Sequence, residues 1–190
     1  AIGYAAFNIM KKHGDGVMCV YPADHYIKNE VEFINILNKA IKVADENEKL
    51  VTIGIAPTFP STGYGYINFD KEIEYNNVAY DVVEFVEKPN YEKAKSYIQS
   101  GKYVWNSGMF VWKVSKILDD FKRYLPKVYD KLEKLSEFIG TDEEDKMLQN
   151  IYPTIPSISI DYGIMERSND VVVVPGDFGW NDVGSWDVLG

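Results

Sequence analysis

The chain has 190 residues, a net charge of −9, 46% hydrophobic and 26% charged residues. That length can enclose one core, and the composition is that of an ordinary globular domain. The acidic balance, with arginine at Arg123 and Arg167 alone, excludes a basic nucleic-acid groove, and no apolar run approaches the roughly 20 residues that cross a bilayer. No signal-peptide pattern opens the chain, which begins at Ala1 rather than Met. The single cysteine, Cys19, rules out an intrachain disulfide and fits a reducing compartment, so the expected location is cytoplasmic. The sequence leaves a homo-oligomer open.

In chain order, Ala1 to Lys12 reads as helix stopped by Gly14 or Gly16, and residues 17–21 as a buried strand. Asn29, with Glu32 three residues on, resembles a capping box opening a helix of about 31–45 whose apolar stripe is Ile34, Leu37, Ile41 and Ala44. Residues 50–56 form a second buried strand, stopped by Pro57, and a Pro/Ser/Thr/Gly loop follows over 57–65. Strands are expected at 66–69 and 73–87, then a helix at about 91–100 capped by Asn90 and stopped by Gly101. Residues 103–113 read as a strand interrupted at Asn106-Ser107-Gly108. Ser115 is expected to cap a helical stretch broken near Pro126 and ending at about 139. The acidic run Thr141 to Asp145 reads as a solvated helix start, 160–167 as a short helix, and Val171–Pro175 as the last buried strand. This alternation predicts an α/β fold with a mixed, mainly parallel sheet flanked by helices and a small antiparallel portion.

Ligands of open α/β sheets gather where strands end. Asp24 and Asp182 each follow a predicted strand there, and Mg²⁺ often takes one or two carboxylates plus phosphate and water. The plain alternative is two turn acids capping neighbouring helices. Glu87 and Lys88 close a strand before Pro89, expected on opposite faces; an ammonium suits phosphate and a carboxylate suits sugar hydroxyls, unless this is merely a charged strand end. Asn106 carries an amide that can both donate and accept, and Gly108 permits close backbone approach, although a bulge explains both. Gly63 and Gly65 flank Tyr64 in a loop whose backbone can meet a ligand or simply turn. Ser159 reads as a helix cap with Asp161 just inside. His13 and His25 read as structural or surface histidines.

The order of these motifs is more specific than any one of them. Pro22-Ala23-Asp24-His25, Thr62 to Ile67, Phe85 to Pro89, Trp105 to Phe110, Ser159 to Tyr162 and Gly179 to Trp186 together resemble the sugar-phosphate nucleotidyltransferases, and within them the branch that acts on mannose 1-phosphate and GTP. The resemblance implies a single Rossmann-like nucleotidyltransferase domain over residues 1–190. It implies Mg²⁺ as cofactor on Asp24 and Asp182, sugar contacts from Glu87, Asn106 and Asp161, a phosphate contact from Lys88, and a cleft lined by Gly63 and Gly65. It departs from the family pattern in lacking the Gly-rich loop with arginine and lysine that wraps the triphosphate. The expectation is therefore an N-terminally truncated domain that is inactive by itself. A metal-dependent glycosyltransferase consuming a nucleotide sugar and a non-catalytic nucleotide-sugar binding module remain open.

Overall fold

The structure, a computed structural model, describes residues 1–184. Its helices are α1 (Ile2–His13), α2 (Glu30–Asn47), α3 (Tyr91–Ser100), α4 (Val114–Tyr124), α5 (Pro126–Ser136) and α6 (Glu144–Ile151). Its strands are β1 (Val17–Val20), β2 (Tyr26–Ile27), β3 (Leu50–Ile55), β4 (Tyr66–Tyr75), β5 (Ala79–Val86), β6 (Tyr103–Lys113), β7 (Val171–Gly176) and β8 (Trp180–Asn181). A six-stranded sheet has the order β1-β6-β3-β7-β5-β4, and β2 pairs with β8 in a separate two-stranded ladder.

Strand β3 is buried at every position, as its Leu-Val-Thr-Ile-Gly-Ile sequence demands of a strand covered on both faces. On one face Val51 and Ile53 join Val172 and Val174 of β7 against Ala40, Val43 and Ala44 of α2. On the other, Leu50 and Val171 pack with Phe110, Trp112, Ile117, Phe121 and Leu132, under α1, α4 and α5. The α/β layering is thus as expected.

The balance of strand directions is not. Strands β1, β3 and β7 run the same way, yet β3–β7 is the one parallel pairing in the sheet among the described residues. The reason is the β4–β5 hairpin. It reverses the chain, and the helical crossover through α3 preserves that reversed direction, so β6 enters between β1 and β3 antiparallel to both. The hairpin turns at Asn76 and Asn77, both at positive φ (52° and 57°), inside the stretch expected to be continuous strand. Paired asparagines tolerate that left-handed turn, which suits the twist of a hairpin.

Helix ends follow local chemistry closely. The Asn29 and Asn90 side chains accept the backbone N–H of Glu32 (3.1 Å) and Lys93 (3.0 Å), and Gly101 closes α3 at φ 65°. Ser115 does not cap α4. Instead Asp15, from the turn before β1, accepts its N–H at 2.9 Å and its hydroxyl at 2.7 Å. In α2 the buried stripe is Ile36, Ala40, Val43 and Ala44, with Leu37 and Ile41 at its border and Ile34 turned to solvent (49% exposed). Small residues in that stripe let the helix lie close on the sheet. No helix among the described residues is long and apolar enough to cross a membrane.

Gly54 marks how tightly β3 is seated. A Cβ there would stand 2.5 Å from Val104 Cγ2 and 2.7 Å from Val173 Cγ2, both branched side chains in the interior. Gly54→Ala is expected to destabilise the fold by about 1–3 kcal/mol through overpacking. Urea unfolding should show a lower midpoint; an unchanged midpoint would mean that the two valines yield freely.

Candidate active site

The cleft lies where β1, β3 and β7 end and β6 begins. Its cavity volume is about 200 Å³, and it is lined from six separate parts of the chain. Pro22 and His25 follow β1, Gly63 to Gly65 precede β4, and Glu87 and Lys88 follow β5. Asn106 to Gly108 form an irregular stretch within β6, Asp161 opens a π-helical turn (Asp161–Met165), and Trp180 and Asp182 follow β7. A single π-helical turn often marks a functional position.

Asn106 is the most heavily anchored of these residues. Its backbone N–H donates to Gly65 O at 2.8 Å, and its side-chain Nδ2 donates to Asp161 Oδ1 at 3.0 Å. Its Oδ1 accepts from Thr52 Oγ1 (3.2 Å) and from Gly108 N (3.1 Å). The interruption read at Asn106-Ser107-Gly108 is therefore a built feature. The β3–β6 register slips between Thr52 and Gly54, Gly108 takes φ 71°, and the buried Ser107 hydroxyl donates to Ile53 O at 2.7 Å. Gly65 lets the Glu87 carboxylate come close: a Cβ there would meet Glu87 Oε2 at 2.5 Å and displace it. A Cβ at Gly63 would meet only the Ser61 hydroxyl, at an ordinary contact distance of 3.7 Å, and Gly63 lines the cleft.

Glu87 and Lys88 do not point to opposite faces. Lys88 Nζ lies 3.4 Å from Glu87 Oε1, and both line the cleft. The strand has ended at Val86, and Lys88 adopts φ 48°, so the alternation of side chains no longer holds. A non-glycine residue held in that region stores strain of the kind found at functional sites. Burial, and then the charge of Asp161, raise the Glu87 carboxyl above its ordinary value, opposed by Lys88. Burial likewise raises Asp161, opposed by the bond from Asn106. Glu166, which the sequence did not mark, feels the charges of both.

Of the metal candidates, Asp182 follows β8 and lines the cleft, and Asp24 precedes β2, the strand that pairs with β8. Tyr26 pairs with Asn181 and Ile27 with Trp180, and the two-residue ladder ends there, with His25 and Asp24 just before it and Asp182 just after. His25 feels the charges of both carboxylates, although burial dominates and lowers its pKa. Its Nδ1 accepts the Trp180 indole N–H at 3.0 Å, which favours the neutral ring. Asp24 itself is solvent-exposed and stands outside the cleft lining. Asp182 Oδ1 accepts from Tyr64 OH at 2.8 Å and from Gly184 N at 3.2 Å. Among the described residues its second oxygen receives no hydrogen bond. Tyr64 is wedged between Trp105 (5.0 Å) and Trp180 (5.3 Å), so this acceptor is held by an aromatic wall. Ser185 and Trp186, part of the same motif, lie outside the described residues.

The Asp182 carboxylate, with one oxygen free of hydrogen bonds among the described residues, is a hard donor of the kind a divalent cation takes together with phosphate and water. Among the described residues there is no cluster of three or more His, Cys, Asp or Glu side chains that would bind a metal unaided.

A mixed sheet flanked by helices, with a polar, acid-lined cleft at its strand ends, defines an α/β domain. Comparison with known proteins gives its kinship. The nucleotidyl transferase family model matches residues 1–189, and the chain belongs to that family. It is 43% identical to a mannose-1-phosphate guanylyltransferase of Escherichia coli and 42% identical to the xanthan biosynthesis protein XanB of Xanthomonas campestris, over its whole length in both cases. A crystal structure described as a mannose-1-phosphate geranyltransferase from Thermus thermophilus superposes with TM-score 0.84 at 36% identity, covering 98% of this chain and 52% of the other. The chain spans about 40% of the length of the two relatives matched by sequence.

The raised Glu87 carboxyl carries a stability consequence. The folded protein binds its proton more tightly than the unfolded chain does. Stability therefore falls as pH rises from the ordinary value of 4.5 through the raised one. Glu87→Gln removes that titration, so the ligand-free variant should gain stability relative to wild type between pH 4.5 and neutrality. Thermal melts across that range test it, and a difference that does not vary with pH would be the contrary result.

Proposed function

We propose that this domain provides the sugar-phosphate side of a guanylyltransferase that makes GDP-mannose and pyrophosphate from mannose 1-phosphate and GTP. The observation that carries the reading is the convergence of Gly65, Glu87, Lys88, Asn106, Asp161 and Asp182 on one cleft. The names of the relatives supply the substrate pair.

In this reading a phosphate oxygen of mannose 1-phosphate attacks the α-phosphorus of GTP. The new P–O bond forms as the bond to the β-phosphate oxygen breaks, and pyrophosphate leaves. The nucleophile is already ionised at neutral pH, so the protein needs no general base and acts by positioning and charge. Lys88, the one cationic side chain lining the cleft among the described residues, holds the sugar phosphate. Glu87 and Asn106 meet mannose hydroxyls, Asp161 orients Asn106 and adds an acceptor, and the Gly63 and Gly65 backbone lets the ligand approach. Asp24 and Asp182 would hold Mg²⁺, which when bound offsets the charge of the reacting phosphates.

Asp182→Asn in the complete enzyme should lower pyrophosphate release by about a hundredfold or more, as loss of a key electrostatic group does, while leaving the thermal transition in place. Near-normal turnover would rule out the metal assignment. The same assay separates the reaction from glycosyl transfer, which releases no pyrophosphate.

We propose further that the 190-residue chain by itself shows little GTP-dependent turnover. One lysine set among Glu87, Asp161 and Asp182 is a poor match for a triphosphate. Robust turnover by the isolated chain would contradict this.

A further inference from the structure

We propose that Thr52, buried in β3, is a positioning residue for recognition: its hydroxyl holds the Asn106 amide so that Asn106 offers an N–H, and not its oxygen, to the ligand. The inference rests on the cleft being a sugar-phosphate site.

Thr52 is fully buried in a strand otherwise made of aliphatic residues and glycine. A valine would fill the same volume and bring no hydroxyl to satisfy, so packing alone does not call for threonine. The hydroxyl lies 3.2 Å from Asn106 Oδ1 and 3.3 Å from Met109 O, and its single proton is shared between them.

The partners decide which way the amide faces. Oδ1 sits between two donors, the Thr52 hydroxyl and the Gly108 N–H, while Nδ2 faces the Asp161 carboxylate. Turning the amide over would set its NH₂ against the Gly108 N–H and its oxygen against the Asp161 oxygen, like against like at both ends. With the Thr52 proton directed at Oδ1, both acceptor positions of Oδ1 are in use within the protein, and this is what Thr52 adds to the orientation set by Gly108 and Asp161. One Nδ2 hydrogen goes to Asp161, and the other is what Asn106 has left for a ligand. An amide that appears in the sequence to donate and accept is a donor only, and the atom it meets must be an acceptor, such as a sugar hydroxyl or ring oxygen. The neighbouring Ser107, bonded to Ile53 O, fixes the backbone on which this amide stands.

Calorimetric titration of mannose 1-phosphate tests the idea. Thr52→Val should bind about three- to tenfold more weakly than wild type, the size expected for one supporting hydrogen bond. Thr52→Ser, which keeps the hydroxyl, should stay within about twofold. If Thr52 works through Asn106, Thr52→Val adds no loss in an Asn106→Ala background. Equal binding by Thr52→Val and wild type, or the same loss in both backgrounds, overturns the inference. Should Thr52→Val fail to fold, Thr52→Ala takes its place. A ligand-free readout separates this idea from the functional reading: the Asn106 side-chain amide signal in nuclear magnetic resonance should shift in Thr52→Val. If wild type does not bind mannose 1-phosphate, the functional reading falls, and that amide signal still judges Thr52. An unmoved signal refutes the positioning role.

Discussion

The complete burial of β3 is the constraint on which the rest of the molecule depends. With helices on both faces and strands on both edges, β3 has no freedom to slide, and its neighbours take their register from it. Gly54 lets Val104 and Val173 close over the strand, and the slip in register between Thr52 and Gly54 is where β6 yields. That slip is not a packing defect. It turns Asn106 into the cleft and leaves Ser107 and Gly108 to satisfy the backbone around it. The core and the site are one piece of geometry.

Electrostatics pull the other way. Glu87 and Asp161 are set close together in a partly desolvated cleft, with Glu166 nearby and Lys88 as a local counter-charge. Burial lifts both lining carboxyls, because their charged forms are less well solvated here than in water. A ligand bearing hydroxyls toward the acids and a phosphate toward Lys88 relieves that arrangement. Strain at Lys88, held at φ 48°, belongs to the same bargain between stability and a preformed site.

Much of this was legible in the sequence because short local rules were at work. Asn29, Asn90 and Gly101 announce helix ends through their own hydrogen bonds and backbone preferences. The Glu87-Lys88-Pro89 motif stands where β5 ends, and Asn106-Ser107-Gly108 where β6 shifts its register. What stayed hidden depends on partners far away in sequence. Asp15 caps a helix 100 residues on, which no local pattern reveals. The direction of β6 follows from a turn at Asn76-Asn77 that two polar residues in an alternating run did not signal. Thr52 bonds to an amide 54 residues away, which its place in an aliphatic strand does not reveal. The same-side placement of Glu87 and Lys88 needed the backbone angle at Lys88, which composition cannot supply.

The ladder joining β2 to β8 has a kinetic side. It is two residues long, and the bond from Trp180 to His25 spans 155 positions of chain. Loops of that length cost the most entropy to close and return few contacts here, so the ladder is secured only once the strands between are in place. The ladder flanked by Asp24 and Asp182 therefore has no local folding unit of its own. Its assembly depends on the sheet that joins its two halves.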